Sequence, residues 1–268
     1  REQNRNGGQR ALAARHQRQQ RQLLARRLRH HIDVAVERVR RVLEAKFRMG
    51  LFDDLFVDEE RAREVLGDPI HRQEARKAAE RAAVLLENDG LLPLDADNLG
   101  KVAVIGPLAD SRRDTLGPWC FAFDLDETVT VLEGLRHHES RIQFDYAPGI
   151  RPAQRTYPSM FDMWPGNSPE DPADFDDEAE LARAVELARQ ADVAVVVVGE
   201  WQNMIGEAAS RSSLDLPGRQ LELLQAVVGT GTPVVLLVMN GRPLDLRWAS
   251  KHVPAILETI RHYRYERL

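Results

Sequence analysis

The run Val193-Ala194-Val195-Val196-Val197-Val198, broken abruptly at Gly199-Glu200, constrains this chain more than any other stretch. Apolar residues in unbroken succession do not fit a strand with one face in water. They fit a strand covered on both faces, the usual condition of a parallel sheet flanked by helices. Val234 to Met239 is a second such run and ends in Asn240-Gly241-Arg242-Pro243. Val102 to Ile105, Ile142 to Tyr146 and Pro254 to Glu258 read as further strands. Helical patterns fall between them, at Thr130 to Leu135, Asp177 to Gln190 and Pro217 to Val228. The expected fold is α/β: a mostly parallel sheet with helices on both faces, a three-layer sandwich, preceded by a helical linker.

Ahead of the first of these strands the pattern is helical. Residues 1–31 are a tail rich in Arg and Gln, expected to be poorly ordered. A basic tail can bind nucleic acid, but no aromatic is interleaved here for base stacking, so a solvated segment is the preferred reading. Val36, Val39, Val42, Leu43 and Phe47 recur at helical spacing between Ile32 and Met49, and Gly50 supplies a stop. Asp58 is placed to cap a short helix through Leu66, and a longer helix is expected from Pro69 to Leu86. The expected organisation is therefore a tail at 1–31, a helical linker region at 32–98 and the sandwich at 99–268. Pro152 to Asp177, rich in Pro, Asp and Gly, reads as an excursion from it.

Composition narrows the function. With 268 residues, 43% hydrophobic and 29% charged, the chain resembles an ordinary globular protein. A net charge of -5 gives no global attraction to nucleic acid. No apolar run approaches the roughly 20 residues of a membrane span, and no signal peptide is visible. The single cysteine, Cys120, excludes an intramolecular disulfide and a multi-cysteine metal site. The adjacent pairs His30-His31 and His137-His138 point their rings in different directions on a helix, so no metal site is expected. The acidic stretch Glu170 to Glu180 lacks the spacing of a calcium loop.

The chemistry-bearing residues follow the strand at Val193. Ligands of open α/β sheets bind beyond the carboxyl ends of strands. There stand Glu200, Trp201, Met204, Glu207, Ser210 and Arg211, closed by Leu214-Asp215-Leu216-Pro217. Either Glu200 or Glu207 can serve as a general acid/base. Arg211 either pairs with Glu200 or holds the loop through backbone carbonyls. Trp201 and Met204 suit substrate binding or plain packing. Arg242, after the next strand, either fastens this loop by charge-assisted hydrogen bonds or ends a surface turn. Trp119 reads as a packing residue. A competing pattern is Asp124-Leu125-Asp126-Glu127-Thr128, the DxDxT of Mg²⁺-dependent haloacid-dehalogenase-type phosphatases. It lacks the downstream Gly-Asp-x-x-x-Asp, and the only later lysine is Lys251.

Several segments, taken in order, resemble glycoside hydrolase family 3, the bacterial β-glucosidase and β-xylosidase group. They are AVERVRRVLEAKFRMGLFDD, AAERAAVLLENDGLLPL, KVAVIGPLAD, LGPW, VTVLEGL, ADVAVVVVGE, GEAASRSSLDLPGRQLELL and TPVVLLVMNGRPL. In that family they form the second domain, an α/β sandwich, and the linker into it. The resemblance implies a retaining exo-acting β-glycosidase acting on a β-linked sugar or oligosaccharide, with no cofactor. It places the acid/base at Glu207, in Gly206-Glu207-Ala208-Ala209-Ser210-Arg211, with Glu200 as the rival. The family's nucleophile, an Asp, stands on a barrel domain that has no counterpart here, so no nucleophile is expected in this chain. Arg261-His262-Tyr263-Arg264-Tyr265 departs from the family pattern, and a C-terminally shortened sandwich, inactive by itself, is expected. A non-catalytic sugar-binding or inert remnant is the alternative.

Overall fold

A computed structural model describes residues 24, 26, 28, 30–54, 56, 58–118, 125–153 and 174–260. Most of the expected tail and most of the 152–177 excursion lie outside them. The chain divides into two compact units, Arg1–Leu66 and Gly67–Leu268.

In the first unit a helix, α1, covers residues 30–48. Gly50 ends it in the left-handed region at φ 70°, and the Leu51 amide donates to the Lys46 carbonyl. The next helix, α2, is Glu59–Leu66. Asp58 caps it by accepting from the Glu60 and Arg61 amides at 3.0 and 3.4 Å, as its position predicted.

The second unit opens with α3, Pro69–Ala82, whose cap Asp68 accepts from the Ile70 amide. This helix is shorter than its spacing, which runs to Leu86, predicts. It stops at Ala82, and the chain passes directly into a strand, β1, Ala83–Asn88. The remaining elements are β2 (Lys101–Ile105), α4 (Arg112–Thr115), α5 (Val131–His138), β3 (Gln143–Ala147), α6 (Asp177–Arg189), β4 (Val193–Gly199), α7 (Gln220–Val228), β5 (Val234–Asn240), α8 (Ala249–His252) and β6 (Ala255–Ile260).

The sheet has six strands in the order β1-β6-β5-β4-β2-β3. All neighbours are parallel except β1, which runs antiparallel to β6 along an edge. Without that strand β6 would present an open row of backbone donors and acceptors. The β-forming triplet Val84-Leu85-Leu86 fills the vacancy, a tertiary demand that overrides helical spacing.

Strand pleating explains the two cores. Ala194, Val196 and Val198 of β4 face one layer, with Ala184 and Ala188 of α6, Leu223, Leu224 and Val227 of α7 and Ala249 of α8. Val193, Val195 and Val197 face the other, with Leu132 of α5, Leu108, Ala109 and Trp201. Every residue of β4 is buried. Full burial of one valine contributes about 1.5–3 kcal/mol, which makes β4 the spine of the unit. The chain is thus an α/β sandwich with both faces of its sheet covered. Strand order reverses between β2 and β4, and the helices that follow these strands, α5 and α7, lie on opposite faces. The crevice beyond their carboxyl ends is the topological switch point of the sheet.

Candidate functional site

Three loops meet at this edge: 106–118 after β2, 200–219 after β4 and 241–248 after β5. Their departure is set by glycine. Gly199, at φ 139°, lies so close to β5 that a Cβ would stand 1.8 Å from the Met239 carbonyl oxygen. Gln220 at the start of α7 secures this point. Its buried amide donates to the Gly199 carbonyl at 2.7 Å and accepts from the Gly199 amide at 2.6 Å.

Glu200 follows, and its side chain is fully buried. Oε1 accepts from Arg211 Nη1 at 3.0 Å and lies 3.0 Å from Arg242 Nε. That second pair is an ion contact rather than an aligned hydrogen bond. Oε2 accepts from the Gly241 amide at 3.3 Å. Arg211 also donates to the Asp215 carbonyl at 2.6 Å. Arg242 Nη2 donates to the Met204 and Ala209 carbonyls at 2.7 and 3.0 Å. Asn240 shapes the turn beneath it, donating to the Arg242 carbonyl and to Glu258. The two readings left open for Arg211 therefore coexist in one geometry, and Arg242 touches the loop rather than ending a surface turn. One carboxylate and two guanidinium groups tie the start, middle and end of the loop together.

Glu207 stands apart from this clamp. It is exposed, between Gly206 at φ 92° and Ala208 at φ 59°. The two left-handed positions that flank it turn the backbone sharply, and the Ala209 amide donates back to the Gly206 carbonyl at 3.4 Å. Ser210 is exposed beside it. Trp201 and Met204 lie in the core, 2% and 4% exposed, packed with Val195, Val197 and Met239. Among the seven residues singled out from the sequence, the structure gathers Glu200, Arg211 and Arg242 around one carboxylate. It presents Glu207 and Ser210 to solvent and turns Trp201 and Met204 inward.

One contributor carried no signal in the sequence. Asp114, on α4, accepts from the Gln202 amide at 2.7 Å across 88 residues. Its other oxygen accepts from Ser111 Oγ at 2.6 Å. Beside it burial lowers the Arg113 pKa, an effect the Asp114 charge opposes.

The phosphatase pattern does not assemble comparably. Leu125–Glu127 is a single 3-10 turn, not the end of a strand, and Asp126 faces solvent with Arg112 at 3.9 Å. Asp124, Trp119 and Cys120 fall outside the described residues. Among the described residues no three His, Cys, Asp or Glu side chains gather as a metal ion would need. No described helix is long and apolar enough to cross a membrane.

Comparison with known proteins agrees with this architecture. The family profile described as the glycosyl hydrolase family 3 C-terminal domain matches residues 83–262, starting at the first residue of β1. A periplasmic β-glucosidase of Salmonella typhimurium is 38% identical over 82% of this chain and 29% of its own length. A β-xylosidase of Formosa agariphila is 33% identical over 85% of this chain and 29% of its own. Among solved structures, a β-glucosidase involved in saponin metabolism from intestinal bacteria superposes with a TM-score of 0.67 at 28% identity, covering 82% of this chain and 33% of that one. The chain thus spans about 29% of the length of these two curated relatives. An α/β sandwich, a profile match over most of the chain and relatives that are glycosidases place it in glycoside hydrolase family 3, as a C-terminal domain.

Proposed function

We propose that this chain is the part of a retaining exo-acting β-glycosidase that supplies the acid/base, Glu207, to a nucleophile carried outside these 268 residues. The sandwich in this reading begins at Ala83, where the sheet and the family match both begin. The substrate class is a terminal β-linked glucoside or xyloside, in keeping with the β-glucosidase and β-xylosidase relatives.

The supporting observation is the contrast between the two glutamates. Retaining hydrolysis needs one carboxylate to attack the anomeric carbon and a second carboxyl group to protonate the departing oxygen. Water then cleaves the glycosyl-enzyme ester, giving its proton to the second group as its oxygen bonds to the anomeric carbon. A group with these duties must reach substrate and water. Glu207 projects from a turn whose flanks are held by Arg242. Glu200 is enclosed, with both oxygens engaged. We assign Glu200, Arg211 and Arg242 to holding the loop, and Trp201 and Met204 to packing under it.

Hydrolysis of 4-nitrophenyl β-glucoside and β-xyloside tests this. The chain by itself is expected to give no turnover. Joined to a polypeptide that supplies the nucleophile, it is expected to turn over, and Glu207→Ala then lowers the rate on the order of 10²–10⁴-fold. Added azide, which attacks the glycosyl-enzyme without needing a base, restores product release as the glycosyl azide. Turnover by the unassisted chain, abolished by Glu207→Ala, would place a nucleophile within these residues and overturn the divided centre. Equal activity of wild type and Glu207→Ala, with loss in Glu200→Gln, would move the acid/base to Glu200.

A further inference from the structure

We propose that Asp114 is a positioning residue for the acid/base loop, fixing its first turn across the crevice between β2 and β4. The inference rests on the reading of Glu207 as the acid/base, since it concerns what that carboxyl needs from its support.

The hydrogen bond from Gln202 to Asp114 joins segments that leave the sheet on either side of its switch point. β2 is followed by the loop that carries Ser111 and Asp114. β4 is followed by the loop that carries Gln202 and Glu207. Asp114 is 9% exposed and Gln202 is 7% exposed, so solvent competes little for the bond. A carboxylate accepting a backbone amide at 2.7 Å is a charge-assisted bond, about twice as strong as a neutral one.

The carboxylate is itself held. Ser111 Oγ donates to Oδ2 at 2.6 Å and accepts from the Asp114 amide at 3.2 Å. The Thr115 hydroxyl donates to the Ser111 carbonyl at 2.9 Å, stiffening the single turn of α4. A second strut runs in parallel, from Gln202 Nε2 to the Gly117 carbonyl at 3.3 Å. Below, Trp201 packs among the same core residues as Leu108 and Ala109 of the β2 loop. The loop is therefore held twice. Asp114 fixes Gln202 on the approach to Gly206, and Arg242 fixes Met204 and Ala209 on both sides of it. A displacement of about 1 Å in a catalytic group can cost about 10²-fold in rate. An exposed carboxyl on a turn keeps its place only if both flanks are anchored.

Amide hydrogen exchange on the 268-residue chain tests the proposal without substrate, so its failure is separate from failure of the glycosidase reading, which depends on turnover. In Asp114→Ala, the hydrogen-bonded amides of Gln202, Met204 and Ala209 are expected to exchange about tenfold faster or more, while those of Val193–Gly199 keep their wild-type rates. Asp114→Asn retains an oxygen that accepts the Gln202 amide and is expected to restore most of the protection. If Asp114→Ala does not fold, Asp114→Asn alone decides, with an expected rise of about threefold confined to 202–209. Loop exchange within twofold of wild type in folded Asp114→Ala overturns the proposal. So does equal acceleration of loop and strand, which would make Asp114 a general stability residue. An unchanged loop in Asp114→Asn, where it is the only folded variant, overturns it as well.

Discussion

Removing the Glu200 side chain is the most informative perturbation of the clamp. Glu200→Ala deletes two contacts to guanidinium groups, each at 3.0 Å, and the acceptor for the Gly241 amide. Leaving one side of a buried ion pair without its partner costs about 3–5 kcal/mol. The Arg211 and Arg242 side chains are 16% and 24% exposed, so water partly compensates them and the lower end applies. The orphaned amide adds about 1 kcal/mol. The expected loss is about 4 kcal/mol. For a unit of this size that lowers the melting temperature by roughly 8–16 °C. Glu200→Gln keeps the shape and one acceptor but not the charge, with an expected loss of about 2 kcal/mol. All 4 tryptophans lie within Gly67–Leu268, so a urea titration followed by tryptophan fluorescence reads that unit alone. The Glu200→Ala/Arg211→Ala double variant should lose at least about 1 kcal/mol less than the sum of its singles. A Glu200→Ala loss below about 1 kcal/mol, or strict additivity, refutes the clamp as a cooperative unit.

Other expectations follow from neighbouring geometry. Gln220→Leu strands the buried amide and carbonyl of Gly199, at about 1–3 kcal/mol each, and should lower the urea midpoint more than any exposed α7 substitution. Gly199→Ala combines a positive φ with a 1.8 Å approach to the Met239 carbonyl and should leave little soluble protein. Gly231→Ala has a positive φ with nothing within 4 Å, and should cost only the strain of about 1–2 kcal/mol in the same urea assay. Asp192 accepts from the Lys101 and Gly100 amides, which lower its carboxyl pKa. A folded-state pKa below the unfolded one gives stability that is present above about pH 4 and is lost as pH falls through the folded value. Asp192→Asn should therefore melt below wild type at neutral pH, and the gap should close on acidification.

The frame was legible because burial on both faces writes continuous apolar runs, as at Val193 and Val234. The cap at Asp58 and the stop at Gly50 were legible for an equally local reason, since each satisfies a helix end within a few residues. β1 was not. The helical spacing of Ala75, Ala78, Ala79 and Ala82 runs into Val84-Leu85-Leu86 without punctuation, and only β6, some 170 residues later, decides that the triplet is a strand. The same limit applies at the site. Residues near Gly199 could be named as candidates, but Trp201 fits a core and a sugar platform equally well until the three-dimensional packing is known. Asp114 lay in an ordinary Ser-x-x-Asp helix start. Its second oxygen acts 88 residues away, a relation no local pattern encodes.

The clamp also bears on why two glutamates stand seven residues apart on one loop. A carboxylate that fixes a loop and one that exchanges protons with a substrate need opposite surroundings. The first needs burial, where its ion pairs escape screening, and it needs every oxygen engaged so that nothing competes for it. The second needs an open face and a backbone that does not drift. Neither residue meets both sets of conditions, because the engagement that immobilises Glu200 removes the access that Glu207 has. In the proposed division of labour, the rigidity of Glu200, Arg211 and Arg242 is transmitted through the Met204 and Ala209 carbonyls to the turn at Glu207. Exchange of the two roles would require Glu200 to abandon both arginines and the Gly241 amide before it met a sugar. Glu200 variants should consequently disturb catalysis in proportion to loop disorder, whereas Glu207→Gln should disturb catalysis with the loop intact. Hydrogen exchange and leaving-group dependence measured on the same pair of variants would separate the two.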